Sequence, residues 1–217
     1  LLSGNSDLWA TGKRYNGSVG STETGDVTAP AKAKGLLDSD TGFLFVRERP
    51  QYEDLSTSSF LVATTDGGCK NDGTGDQTSC INSFLQKAAT ADQVAYFPAG
   101  IYTIGGTVLI PTGSRVQGSS WSQIQGSGFY FSDMNNPKVM VQVGNKGDVG
   151  TMEIVEMLFS VRGATAGAVL MEWNTAASEQ GAAAMWDSHF RVGGALGTDL
   201  DFATCPKFSS KDRKSVV

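Results

Sequence analysis

The chain has 217 residues, long enough for one domain with a sizeable core or for one domain and a tail. Seventeen Lys and Arg against 22 Asp and Glu give a net charge of −5 and a pI near 4.9, which excludes the basic footprint of a nucleic-acid or anionic-membrane binder. Charged residues are only 18%, and 27 glycines exceed the usual share of ~7%, a composition that favours a turn-rich β protein over a helical bundle.

From the start of the chain, residues 1–58 show little periodicity and many Gly, Ser, Thr, Pro and Lys, with Pro30 and Pro50 as breaks. They read as an interdomain linker or extended segment, and the aromatics Trp9, Tyr15, Phe43, Phe45 and Tyr52 imply that it docks locally. The opening Leu1-Leu2-Ser3-Gly4 lacks an initiator Met and a leader, so the chain reads as a mature product or a fragment. Cys69 and Cys80 flank a Gly/Asp/Thr-rich turn and either bridge across it, given an oxidising compartment, or stay free thiols. Cys205 is left over. Over 78–89, apolar Cys80, Ile81, Phe84, Leu85, Ala88 and Ala89 fall at helical spacing, with Asp76 or Thr78 as the expected N-cap.

After Asp92 the chain becomes short apolar runs separated by Gly, Pro, Ser and Asn. Strands are predicted over 94–97, 102–104, 107–110, 115–117, 123–125, 138–143, 152–161, 167–173 and 184–192. A sandwich or barrel accommodates such a pattern, as does a parallel β-helix, in which each coil adds three short strands. The single helix sits where it can cover the open first coil, and turn lengths vary without spoiling the strands, which favours the coil. No apolar run approaches the ~20 residues of a membrane span, so no membrane partner is expected. One histidine and three cysteines without zinc spacing leave no metal or other cofactor expected.

The run Val94-Ala95-Tyr96-Phe97-Pro98-Ala99-Gly100-Ile101-Tyr102, followed by Thr107-Val108-Leu109-Ile110-Pro111, resembles the opening of the pectate-lyase-like right-handed parallel β-helix. A narrower resemblance lies in Gln142-Val143-Gly144, in Gly167 through Asn174, and in Met185-Trp186-Asp187-Ser188-His189-Phe190-Arg191-Val192-Gly193-Gly194. With Lys13-Arg14-Tyr15, Gly35-Leu36-Leu37-Asp38 and Arg49-Pro50-Gln51-Tyr52, these are similar to fungal glycoside hydrolase family 55, the β-1,3-glucanases. The resemblance runs from about Trp9 to Lys207. It implies a secreted enzyme with two β-helix domains that hydrolyses β-1,3-glucan with inversion. Residues 59–208 would then be the first coils of the second domain, an all-β right-handed parallel β-helix with one short N-terminal capping helix. The first β-helix domain would be a missing partner of the same polypeptide. The family's general acid lies in a stretch resembling Thr-Glu-Thr-Pro, which does not occur here. No catalytic residue is therefore assigned, and the isolated chain is expected to be inactive. Residues 209–217 read either as a non-native tail, because Asp212 through Val217 match one frame of a common sequencing adaptor, or as a disordered basic tail; on the first reading the protein is expected to continue past Ser210.

Six residues inside the strong motifs are candidates for substrate binding: Glu172, Trp173, Trp186, Asp187, His189 and Arg191. Strand alternation would put Asp187, His189 and Arg191 on one face opposite Trp186, Ser188 and Phe190. That row either lines a sugar cleft or is a hydrogen-bonded exterior row. Glu172 beside an apolar stripe has the setting of a carboxyl with raised pKa, or else points to solvent. Trp173 and Trp186 either stack on a pyranose or fill the coil interior. Asp148, Glu153 and Glu156 are the remaining carboxylates in these stretches. The alternatives to a glucanase are a pectin-type lyase or hydrolase on the same scaffold and a non-catalytic glycan-binding β-helix.

Overall fold

The structure is a computed structural model that describes residues 9–26, 31–201 and 203–204. Cys205 and the tail lie outside the described residues. Two compact units part between Val46 and Arg47. In the first, β1 (Trp9–Asn16) and β2 (Val19–Asp26) form an antiparallel hairpin over a tight turn. This hairpin stands where the sequence suggested only an unpatterned linker. Its alternation of Thr, Gly and charged residues carries no apolar face to signal a strand, and it is held by cross-strand pairs such as Arg14 with Glu23 at 3.3 Å.

The second unit is a stack of parallel strands. In chain order they are β3 (Phe60–Val62), β4 (Val94–Tyr96), β5 (Gly100–Ile104), β6 (Val108–Ile110), β7 (Arg115–Ser127), β8 (Lys138–Val143), β9 (Val149–Gly150), β10 (Met152–Arg162), β11 (Ala168–Trp173), β12 (Ala176–Ala177), β13 (Ala183–Trp186) and β14 (His189–Arg191). Pairing proceeds from coil to coil. One wall is β3, then β4 with β5, then β7, β10, and β13 with β14; a second wall is β6, β8 and β11; a third is β9 and β12. This is a parallel β-helix. The runs predicted over 115–117 and 123–125 are the two halves of β7, while 184–192 is interrupted at 187 and 188.

Side chains one coil apart stack in inward columns. Leu61, Ala95, Val116, Ile154 and Met185 form one, and Tyr102, Ile124, Phe159 and Phe190 another. Tyr102, Ile124 and Phe159 are fully buried, whereas Phe190 on the outermost coil is 47% exposed and stacks on Phe159 at 5.4 Å. On the second wall, Val108, Val141 and Met171 stack, as do Ile110, Val143 and Trp173. Gly126 is required in the first wall because Met140 occupies the space a Cβ would take, its sulfur 2.5 Å from that position.

The α-helix α1 (Thr78–Thr90) closes the first coil. Ile81, Phe84, Leu85 and Ala88 are buried at i, i+3, i+4 and i+7, and Phe84 meets Phe97 edge-on at 5.3 Å. Gln77 is the N-cap residue and contributes no side-chain cap. Asp76 does that work from one position earlier than a cap, accepting hydrogen bonds from the N–H groups of Thr78 and Gly105, both at 2.9 Å. The Asp76 carboxyl is thereby tied to the far end of β5. Burial opposes its charge, but the bonds from Thr78 and Gly105 hold it below its ordinary pKa. Cys69 and Cys80 are joined by a disulfide, Cα to Cα 5.6 Å, which pins the first turn of α1 to the loop after β3.

Candidate functional site

The long strands of the first wall bend at one corner, and the bend is made by residues with left-handed backbone: Ser120 in β7 (φ 60°), Glu156 in β10 (φ 54°) and Asp187 between β13 and β14 (φ 49°). Gln117 pairs with Val155 and Ser122 with Met157, so four residues of β7, Gly118 through Trp121, stand opposite Glu156 alone, and the bulge belongs to β7. Asp187 sits at the equivalent place one coil on, since Trp186 pairs with Val155 and His189 with Leu158. Gly118 opens this bulge beside Glu156, and an added Cβ would come within 2.2 Å of the Glu156 carbonyl oxygen.

A segment beginning at Arg47 lies over the outer face of this wall. The Arg47 guanidinium donates to Glu153 at 2.6 Å and to the Gly181 carbonyl, and it sits 5.6 Å from the centre of the Trp186 ring. The Trp186 indole N–H donates back to the Arg47 carbonyl at 3.4 Å. The Tyr52 hydroxyl donates to the other oxygen of Glu153 at 2.8 Å. Burial, then the bond to Glu153 and its charge, push the Tyr52 hydroxyl far above its ordinary pKa, so it acts only as a neutral donor. Arg49 bridges two coils, giving one N–H to Glu156 at 2.6 Å and another to Asp187 at 2.9 Å. Residues 47–58, grouped with the linker on sequence, therefore pack with the coils through these ion pairs and through Tyr52 against Phe60.

The six candidates divide. Glu172 and Trp173 are on β11 in the second wall; Trp186, His189 and Arg191 are on β13 and β14 in the first. Glu172 is in register with Leu109 and Gln142 and accepts a hydrogen bond from Asn174 at 2.8 Å. Trp173 is in register with the Ile110–Val143 column but is 36% exposed, and its indole N–H donates to the Thr175 carbonyl at 2.8 Å. The expected row of Asp187, His189 and Arg191 does not form. The left-handed turn at Asp187 breaks the alternation: His189 and Arg191 stay together on the exposed outer face of β14, while Asp187 turns to Arg49. For the same reason Trp186 and Phe190 are not on one face. Trp186 faces out, over the column of Val155 and Gln117, and Phe190 faces in.

Sequence reasoning missed Arg47 and Arg49 as site residues. Nothing in the local pattern marks Arg47 and Arg49 beyond their alternation, because their partners lie more than a hundred residues away. Asp148 serves structure: the Asn145 N–H and the Thr112 hydroxyl, both at 2.8 Å, hold its carboxyl below the ordinary value. The corner thus offers carboxylate oxygens fixed by arginine beside Trp186. Carboxylate oxygens held by arginine accept hydrogen bonds, so the cluster suits binding hydroxyl groups.

Residues 61–181 match the family model described as rhamnogalacturonase A/epimerase, pectate lyase-like. Among curated proteins, the chain is 44% identical over 178 residues to a probable glucan endo-1,3-beta-glucosidase of Arthroderma benhamiae, covering 82% of this chain and 20% of that protein. It is 36% identical over 200 residues to the glucan 1,3-beta-glucosidase of Cochliobolus carbonum, covering 91% and 25%. It is also 42% identical over 215 residues to the non-secreted LysM effector LysM19 of Penicillium expansum, covering 97% and 17%. The chain spans no more than about a quarter of the length of these relatives. Because the family model covers more than half of the 217 residues and matches the coils themselves, the chain belongs to the rhamnogalacturonase A/epimerase, pectate-lyase-like family.

Proposed function

We propose that the chain is a segment of a secreted β-1,3-glucan hydrolase of glycoside hydrolase family 55, acting with inversion and releasing glucose or short oligosaccharides. The observation that carries this reading is the likeness, at 36% and 44% identity over most of the chain, to proteins named as glucan 1,3-β-glucosidases. The corner cluster agrees with it, since its arginine-bound carboxylate oxygens can accept hydrogen bonds from a neutral polyol. The general acid is assigned to a Thr-Glu-Thr-Pro-like stretch outside these residues, and a first β-helix domain to the same polypeptide. The Cys69–Cys80 disulfide supports export, because such bridges persist in oxidising compartments. Among the described residues no helix is long and apolar enough to cross a membrane.

The test is glucose release from laminarin. The complete protein is expected to release it, and the 217-residue chain to give little or none. Turnover by the chain alone would overturn the assignment of the acid elsewhere. A second reading is favoured by the likeness, at 41% and 42% identity, to two proteins named as LysM effectors: a glycan-binding β-helix without catalysis. Retention on insoluble β-1,3-glucan by a complete protein that releases no glucose would establish that reading in place of the first.

A further inference from the structure

Of the eight asparagines in the chain, Asn16 alone is followed two places on by a hydroxyl residue with no proline between, in the stretch Asn16-Gly17-Ser18. That spacing is the acceptor pattern for N-linked sugar in proteins that pass through a secretory compartment. Short patterns recur by chance, so the setting decides. Asn16 ends β1, Gly17 and Ser18 make the two-residue turn, and Val19 opens β2. Gly17 has a left-handed φ of 63° at the first central position, which suits a hairpin of this length. All three residues are exposed, and a Cβ added at Gly17 would meet nothing within 4 Å. Other asparagines are built into the coils: the side-chain amides of Asn71, Asn82 and Asn174 donate to Ala99 O, Thr107 O and Glu172. The Cys69–Cys80 disulfide is an independent observation, because such bridges form in the oxidising compartments of the export route, where N-linked sugar is also transferred.

We infer that Asn16 is a site of N-glycosylation, the sugar coming from a lipid-pyrophosphate-linked oligosaccharide. Asn16 Nδ2 bonds to the anomeric carbon of the donor. The bond from that carbon to the pyrophosphate oxygen breaks, the lipid pyrophosphate leaves with the electron pair, and one amide proton passes to a basic group of the transferase. Asn and Ser side chains bond locally over two residues, so the Ser18 hydroxyl can hold the amide in place during the attack. On the folded hairpin the linked sugar stays in solvent. Val19, the cross-strand partner of Asn16, is 72% exposed, and the first sugar ring covers part of that apolar surface. Both strands are edges of a two-stranded sheet, and a sugar at the tip obstructs edge-to-edge pairing with another chain. The inference rests on the export part of the proposed function and is independent of glucan hydrolysis. Two relatives are named as non-secreted, so the compartment is tested together with the site.

The test is peptide mapping of the complete protein, expressed in a fungal host and recovered from the medium and from the cell extract. The tryptic peptide 15–32, bounded by cuts after Arg14 and Lys32, carries the site. In the exported protein this peptide is expected to be heavier by hexose and N-acetylhexosamine residues. Digestion with peptide N-glycosidase in heavy-oxygen water should remove that mass and leave an aspartate with one heavy oxygen at position 16. Spontaneous deamidation at Asn16-Gly17 before digestion incorporates ordinary oxygen, and finding that product alone overturns the site. Asn16→Gln and Ser18→Ala should lose the sugar and Ser18→Thr should keep it; if a variant is retained in the cell, the unsubstituted peptide still decides. An exported protein whose peptide 15–32 is bare overturns the site and leaves export intact. Protein found only in the cell extract, with a bare peptide, overturns export. The same protein behind a cleavable export leader then decides the site: sugar on the peptide upholds it, and a bare peptide overturns it.

Discussion

Glu156 and Asp187 occupy the same corner of consecutive coils, both with left-handed backbone, and share a single guanidinium, that of Arg49, at 2.6 and 2.9 Å. Such backbone is uncommon for residues other than glycine, and each instance costs of order 1 kcal/mol or more unless the surroundings impose it. Here Arg49 ties both side chains in place, and the bulged segment of β7 stands beside Glu156.

The two halves of this clamp should differ in worth. Glu156 is 22% exposed on its side chain and Asp187 is 61% exposed. A double-mutant cycle between Arg49 and Asp187, read by urea unfolding, should give a coupling below about 1 kcal/mol, because the exposed carboxylate is screened. The cycle between Arg49 and Glu156 should give the larger coupling, and equal values would show that the bulge does not shield Glu156.

Gly118→Ala should destabilise the chain by about 1–3 kcal/mol, because the new methyl meets the Glu156 carbonyl oxygen at 2.2 Å. Gly163→Ala, where no atom lies within 4 Å, should lose stability only through its left-handed φ of 72°. Denaturant midpoints distinguish the steric cost from the backbone cost.

Removing ring volume should reveal which coil is the last. Phe159→Ala should cost about 3–5 kcal/mol, as for a fully buried aromatic. Phe190→Ala in the same column should cost well under half of that, because half of its surface already faces water. Equal losses would mean that further polypeptide covers Phe190 in solution.

Cys80→Ser should lower stability by about 2–3 kcal/mol, the scale for a short loop closed by a disulfide. Thiol reductant should produce the same shift in the unsubstituted chain and none in the variant.

Asp76 governs an acid limb. Its folded pKa lies below the ordinary 3.8, so its contribution is fully present above that value and is lost as pH falls through the lower, folded one. Asp76→Asn should flatten the stability profile below pH 4 and leave its slope near neutrality unchanged. Urea midpoints across pH 2–7 would show it, and an unaltered acid limb would remove Asp76 from the account.

Much of the coil was legible in sequence. The spacing of Ile81, Phe84, Leu85 and Ala88 placed the capping helix, because a helix against a core repeats its apolar side every 3.6 residues. The runs at 94–97, 138–143 and 152–161 became strands within a residue or two. The hairpin of the first unit was not legible, since its side chains are exposed on both faces and leave no alternation to read. The site was less legible than the fold. Alternation assigned Asp187, His189 and Arg191 to one face, a rule that holds only for unbroken strand.

Which residues are apolar, and at what period, was determined by the sequence itself, and with it the helix, the strands and the coiled architecture. Periodicity is a local property, carried by neighbours along the chain. Which side chains meet at the corner was decided only by the tertiary structure. The left-handed residues Glu156 and Asp187 reset the facing of everything after them, and Arg49 finds its partners more than a hundred residues away, across coils whose register no local pattern encodes.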